Sequence, residues 1–246
     1  MIKKILLIQF RSDISILPEQ RCILKSIKKN KDDLRIINAF DQSIDFSMPE
    51  KILKGINRVI LGGSGEFCFS HNDNEEKDKH FWQMIERIAP LVKYLLEKDT
   101  PTIGICFGHQ LLAYNLGVKI INDKKQQETG SFVICLNKAG QSNLLFKGLP
   151  QKFIAQLGHK DRLEKLPKNT ILLANSKKCS VESFQYKNNI YGVQFHPELT
   201  VKDIIFKLKL YPDYSSKEKI ENTVKKLKPS PYAIKVMKNF INNPTK

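Results

Sequence analysis

Thr100-Pro101-Thr102-Ile103-Gly104-Ile105-Cys106-Phe107-Gly108-His109-Gln110 carries the chain from a β pattern into a helix across one cysteine. Thr100 to Ile105 reads as a buried strand. Gln110 to Leu116 has helical spacing and stops at Gly117, where a glycine suits the end of a helix. A sharp turn between the two lifts Cys106 above the sheet edge. Small residues are needed two before and two after it, so that neighbouring backbones do not collide, and Gly104 and Gly108 meet that need. At the N-terminus of the following helix, backbone N–H groups and the helix dipole favour thiolate over thiol. The thiolate is the competent nucleophile.

Outward from this turn the pattern repeats. Lys3 to Phe10, Leu34 to Asn38 and Arg58 to Leu61 read as strands, with an amphipathic helix at Glu19 to Lys28 and another at Phe81 to Lys98. Pro90 inside the last segment predicts a kink or two abutting helices. Alternating β and α segments predict an α/β fold whose mostly parallel central sheet has helices on both faces. Between Val118 and Val193 short β-like runs take over: Val118 to Ile121, Ser131 to Leu136, Phe153 to Gln156, Ile171 to Ala174, Ser183 to Tyr186 and Ile190 to Gln194. Val201 to Ile241 is helical in pattern and rich in lysine, with a break at Pro229-Ser230-Pro231. With no repeat and no long linker, residues 1–246 read as a single domain, on which the C-terminal helices of 201–246 pack as cover.

Two further stretches bear on chemistry. Gly192-Val193-Gln194-Phe195-His196-Pro197-Glu198 ends a strand on a histidine and a carboxylate two residues apart. A cysteine nucleophile needs a base that takes its proton and later protonates the leaving amine, and the base needs a third group to hold its tautomer. His196 and Glu198 fit those roles if their strand runs beside that of Cys106. The loop Gly62-Gly63-Ser64-Gly65 follows the third strand. An oxyanion hole takes one N–H from the residue after the nucleophile and one from a nearby loop, so Phe107 and Gly63 are the candidates. No Gly-Lys-Ser/Thr follows the glycines, which excludes a phosphate loop.

Composition narrows the class. The 246 residues are 41% apolar, ordinary for a globular protein. Lys and Arg number 41 against 25 Asp and Glu, a net charge of +16. No basic block interleaves with aromatics, so the charge reads as a solvated lysine-rich surface rather than a nucleic-acid site. Five cysteines, at 22, 68, 106, 135 and 179, match no metal or CxxC spacing, and reduced thiols are expected. The apolar run Ile5 to Ile8 is too short for a signal-peptide core, and no stretch is long enough to span a membrane. These features predict a cytoplasmic protein without a membrane partner.

Taken together, the glycine loop, Gly104-Ile105-Cys106-Phe107-Gly108-His109-Gln110 and Gln194-Phe195-His196-Pro197-Glu198 resemble the class I (triad) glutamine amidotransferases, in that family's order. Gln9-Phe10-Arg11-Ser12-Asp13, Glu128-Thr129-Gly130, His159-Lys160-Asp161 and Tyr191-Gly192-Val193 look like the stand-alone, GMP-synthase-like members. The resemblance implies a flavodoxin-like sheet with its site at the carboxyl ends of the strands. It implies cleavage of the glutamine side-chain amide through a γ-glutamyl thioester on Cys106, releasing ammonia, with no metal and no cofactor. It also implies that Gly65 and Gln110 contact the substrate, and that Glu128 and Gly130 line the same pocket. Ser64 stands where a proline is common, and Gly158 where a larger residue is common. No acceptor domain is expected in this chain, so L-glutamine would be hydrolysed for a separate synthetase subunit that takes the ammonia. Two alternatives remain open: a γ-glutamyl hydrolase acting on another γ-glutamyl compound, and a non-catalytic interaction protein on the same fold.

Overall fold

The computed structural model describes residues 4–29, 31–70, 74–123, 125–211 and 217–244. The first half alternates strictly: β1 (Lys4–Gln9), α1 (Ile16–Ile27), β2 (Leu34–Asn38), α2 (Pro49–Leu53), β3 (Ile56–Leu61), α3 (Glu75–Glu97), β4 (Thr102–Ile105) and α4 (Phe107–Asn115). The second half is mostly strand: β5 (Ile120–Asn122), β6 (Glu128–Leu136), a short α5 (Lys138–Ser142), β7 (Lys152–His159), β8 (Asp161–Leu163), β9 (Thr170–Asn175), β10 (Ser183–Tyr186) and β11 (Ile190–Val193). Three helices follow: α6 (Val201–Leu210), α7 (Lys217–Lys225) and α8 (Ile234–Asn242). Lys3, expected to open β1, and parts of the basic C-terminal stretch lie outside the described residues.

Nine strands form one sheet in the order β2-β1-β3-β4-β11-β10-β9-β6-β7. The first five are parallel, with the flavodoxin-like order around β1 and β3. From β10 onward every pairing is antiparallel. The parallel strands are apolar along their whole length because both faces are covered. In β1, Leu6 and Ile8 face the core formed with α3 and α4, while Ile5 and Leu7 face the core shared with α1 and α8. Each such fully buried side chain contributes about 2 kcal/mol by leaving water.

The helix around Pro90 is continuous from Glu75 to Glu97, not two abutting helices. Pro90 is exposed, so its missing hydrogen bond falls on the solvent side. Ile88, Leu91 and Val92 on either side of it are fully buried and hold the helix to the sheet. Asn74 caps this helix, accepting from the Lys77 N–H at 2.8 Å, with Glu75, Glu76 and Asp78 favourably placed in its first turn.

Close packing of β3, β4 and α4 is what sets Cys106 in place. A side chain added at Gly104 would put its Cβ 2.7 Å from the His109 nitrogen, and one at Gly108 would meet Leu61 Cβ at 2.7 Å. Both neighbours are backbone or core, with no room to give. Gly104→Ala is therefore expected to lower stability by about 3 kcal/mol, read as a lower urea midpoint with unchanged slope. An unchanged midpoint would mean that the strand–helix junction has slack which the close approach denies.

Candidate active site

Cys106 stands between β4 and α4 with φ 51° and ψ −98°, a strained conformation for a residue with a side chain. Hydrogen bonds fix it from both sides. Its N–H donates to the Val193 carbonyl at 2.8 Å, and its own carbonyl accepts from the Gln110 N–H at 3.1 Å. The Gly108 N–H donates to the Gly62 carbonyl at 3.0 Å, tying the glycine loop to the elbow.

β11 runs parallel to β4, with Val193 beside Ile105, so the chain leaving β11 passes the elbow. His196 sits there, its N–H on the Gln156 carbonyl at 2.9 Å and its Nδ1 2.7 Å from Glu198 Oε1. All three side chains are buried. Burial alone would raise the Cys106 thiol pKa; the charge of His196, its hydrogen bond to the sulfur, and the charges of Lys207 and His159 outweigh it and bring the pKa to about 7. Burial and Lys207 work against the His196 imidazolium, but Glu198 and Cys106 favour it more, and its pKa rises. Burial likewise opposes the Glu198 carboxylate, yet His196 holds it ionised. The other histidine in the elbow motif, His109, is pushed down to about 3, chiefly by burial, and is no base at neutral pH. Cys22 is pushed up to about 12 by burial and nearby carboxylates, and Cys179 is pushed up as well. Of the buried thiols, Cys106 alone is held near its thiolate form.

Lys207 of α6 places its Nζ 2.9 Å from His196 Nε2. One proton fits between two nitrogens at that distance, so Lys207 competes with Cys106 for this nitrogen. A second occupation concerns the glycine loop. Gly63 lies against the site, since a Cβ there would come 3.8 Å from Cys106 Cβ, but its N–H donates to Glu19 Oε1 at 3.1 Å. Glu19 is held in turn by Arg11 Nε at 3.1 Å and Gln9 Nε2 at 2.7 Å. The expected oxyanion donor Gly63 thus has its N–H on a carboxylate in this structure, a contact that the glycine pattern could not reveal.

The family model of class-I glutamine amidotransferases matches residues 46–204, about two thirds of the chain. This chain belongs to the class-I glutamine amidotransferase family. Among curated relatives, the glutamine-hydrolysing GMP synthase subunit of Methanosphaera stadtmanae is 39% identical over 116 residues, 47% of this chain and 60% of that protein. The glutamine-hydrolysing GMP synthase of Borreliella burgdorferi is 31% identical over 207 residues, 79% of this chain but 37% of that protein. The matched stretch is thus less than two thirds of either relative's length. A glutamine amidotransferase structure from Thermotoga maritima superposes with a TM-score of 0.70 at 20% identity, covering 98% of this chain and 97% of that one, which supports the fold. Among the described residues, no helix is long and apolar enough to cross a membrane.

In this family member a cleft of about 470 Å³ opens beside Cys106, within the usual size for a small-molecule site. Cys106, Phe107, Gly65, Gln110 and His159 line it, together with Tyr211. Tyr211 packs on Gly65 so closely that an added Cβ would lie 2.7 Å from its hydroxyl oxygen. Gln110 is held by Nε2 donating to the Asp161 carbonyl at 2.9 Å and to Gln194 Oε1 at 3.1 Å. Gln194 also donates to Cys106 Sγ at 3.6 Å. Glu128 and Gly130 are not brought to the cleft. Glu128 is fully buried against His159 and Ser176, and Gly130 lies under Thr223 and Leu227. Glu128 sits behind His159, which itself lines the cleft.

Lys207, Glu19 and Tyr211 were not legible as site residues. The only signal for Lys207 is its place three residues after buried Ile204, on the inner face of α6. That helix begins directly after the triad because Thr200 and Asp203 form a capping box.

Alkylation of Cys106 by iodoacetamide should follow a titration with its midpoint near pH 7. In Glu198→Gln the lost carboxylate lowers the His196 pKa, which removes positive charge from beside the sulfur. The midpoint should then move up by about one pH unit, measured by mass spectrometry of the Cys106 peptide. A midpoint that stays put would deny Glu198 its hold on the pair.

Proposed function

We propose that this chain hydrolyses L-glutamine and supplies the ammonia to a separate synthetase subunit. The observation that carries the reading is the Cys106–His196–Glu198 arrangement at a strained elbow, opening on a cleft of suitable size. Cys106 Sγ attacks the side-chain amide carbon of glutamine, and the carbonyl electrons move onto oxygen. Collapse of that intermediate breaks the C–N bond as the His196 imidazolium gives its proton to the departing nitrogen. The products of this half are ammonia and a γ-glutamyl thioester. Water, deprotonated by His196, then attacks the thioester, and glutamate and the thiol are restored. Glu198 keeps Nδ1 of His196 protonated throughout. Phe107 N–H at the start of α4 is one oxyanion donor, and Gly63 N–H becomes the second once Glu19 releases it. Gly65 and Gln110 hold the substrate at the cleft wall.

The relatives named above, a GMP synthase and the glutamine-hydrolysing part of another, support a synthetase as the recipient. Lys207 on His196 and Glu19 on Gly63 support a chain that turns over slowly by itself and quickens when its partner shifts α6 and α1.

Ammonia release from L-glutamine by the purified chain, beside a Cys106→Ala control, tests the reaction. Release that vanishes in the control is expected; full activity without Cys106 would refute the mechanism. Lys207→Met should raise the isolated chain's kcat about tenfold by freeing Nε2 of the base. A fall in kcat with unchanged KM would instead make Lys207 a contributor to turnover.

A further inference from the structure

Behind the cleft, four side chains from three separate segments converge in the interior. Glu128 opens β6, His159 ends β7, and Cys179 and Glu182 come from the turn between β9 and β10. Glu128 and Glu182 are fully buried, and His159 and Cys179 are 3% and 2% exposed. One donor atom from each lies within 4.8 Å of the others. We infer that Glu128, His159, Cys179 and Glu182 form a closed, four-ligand site for a divalent transition metal, zinc by the chemistry of its donors.

Three features of the cluster point to a cation rather than to a chance meeting of polar groups. The first is the orientation of His159. Its Nδ1 is 3.1 Å from the Asp161 carbonyl, which can only accept, so Nδ1 carries the hydrogen. Nε2 faces Glu128 Oε2 from 3.3 Å. A proton or a cation can bridge this pair, and the spacing suits either. A ring nitrogen fixed by a carbonyl on its far side is the usual support of a metal-bound histidine.

The second feature is the support of Glu128. Ser176 Oγ donates to Oε1 at 2.8 Å and itself accepts from the Cys179 N–H at 2.8 Å. One carboxylate oxygen is thus held, the other is left for the cluster, and the same hydroxyl anchors the cysteine. The third is Glu182. Neither of its carboxylate oxygens meets hydrogen-bond geometry among the described residues, and its polar neighbours are Glu128 and Ser176. Its backbone is pinned on both sides, its N–H to the Ala174 carbonyl at 3.0 Å and its carbonyl to the Gln194 N–H at 2.8 Å, so the side chain is held in the interior. A buried carboxylate with no donor is strongly disfavoured unless a cation or a proton meets it.

The donors choose the ion. Thiolate and imidazole suit zinc and exclude calcium or magnesium, which take oxygen ligands. Bonds of about 2.0–2.3 Å in a tetrahedron set ligand atoms about 3.3 to 3.8 Å apart. The His159–Glu128 pair is already at that spacing. Four protein ligands leave no open position, so the site is structural. It would staple β6, β7 and the turn before β10, and would set the His159 ring that lines the cleft.

Untagged protein, purified without chelator, should carry about one equivalent of zinc by plasma mass spectrometry. Cobalt exchanged into the chain should give the sulfur-to-cobalt absorption of a thiolate ligand, and Cys179→Ser should abolish that band. Glu182→Gln, which preserves the side chain's shape, should weaken zinc retention against a competing chelator by about tenfold or more. Cobalt titration of the wild-type chain reads the site without depending on how either variant folds. Wild-type protein that takes up neither zinc nor cobalt overturns the proposal and leaves protons as the neutralising charge. So does a cobalt spectrum without a thiolate band.

Discussion

The strained backbone of Cys106 is the constraint on which the rest of the structure depends. A residue with a side chain is held at φ 51° because three neighbours demand it. Val193 takes its N–H, α4 begins on its carbonyl, and the two flanking glycines let β4, β3 and α4 approach to contact distance. Relaxing the turn would tilt α4 and open the space between Leu61 and Gly108. Sheet order matters for the same reason. Because β11 is the parallel neighbour of β4, the residues after Val193 are delivered to the elbow without a long excursion.

Electrostatics at this point are set by burial. With Cys106, His196 and Glu198 all withdrawn from water, each charge is felt strongly by the other two, and the histidine gains basicity while the thiol gains acidity. The same withdrawal makes Lys207 influential. An ammonium beside an imidazole would be nearly silent on the surface, but in this interior it competes for the base. Arg11 and Glu19 form a similar buried pair on the other side of the glycine loop, and their hold on Gly63 is the counterpart of the hold on His196. His196 and the Gly63 N–H are therefore engaged by side chains from α6 and α1.

How far the sequence could be read follows from how local each signal is. Strands buried on both faces announce themselves as continuous apolar runs, and β2 and β10 fall at the residues expected, Leu34–Asn38 and Ser183–Tyr186. Helix ends were less legible: α4 begins at Phe107 rather than Gln110, since the elbow leads into the helix without a spacer. Pro90 suggested a break because the rule concerns hydrogen bonding alone; the packing of Ile88, Leu91 and Val92 overrides it. For Glu128 and Gly130 a motif fixed the neighbourhood but not the contacts, which depend on the strand's register against β7 and on the packing of α7.

By itself, the sequence determined the α/β alternation, the elbow with its cysteine, and the histidine and carboxylate that follow a strand end. Those features are written within a few residues of one another, where steric limits and periodicity act directly. Tertiary structure alone decided that β11 lies beside β4, that Lys207 and Glu19 reach the reacting groups, and that Glu128, His159, Cys179 and Glu182 meet. Each of those contacts joins segments far apart in the chain, and their side chains find one another only when the sheet has closed and water has left the space between them.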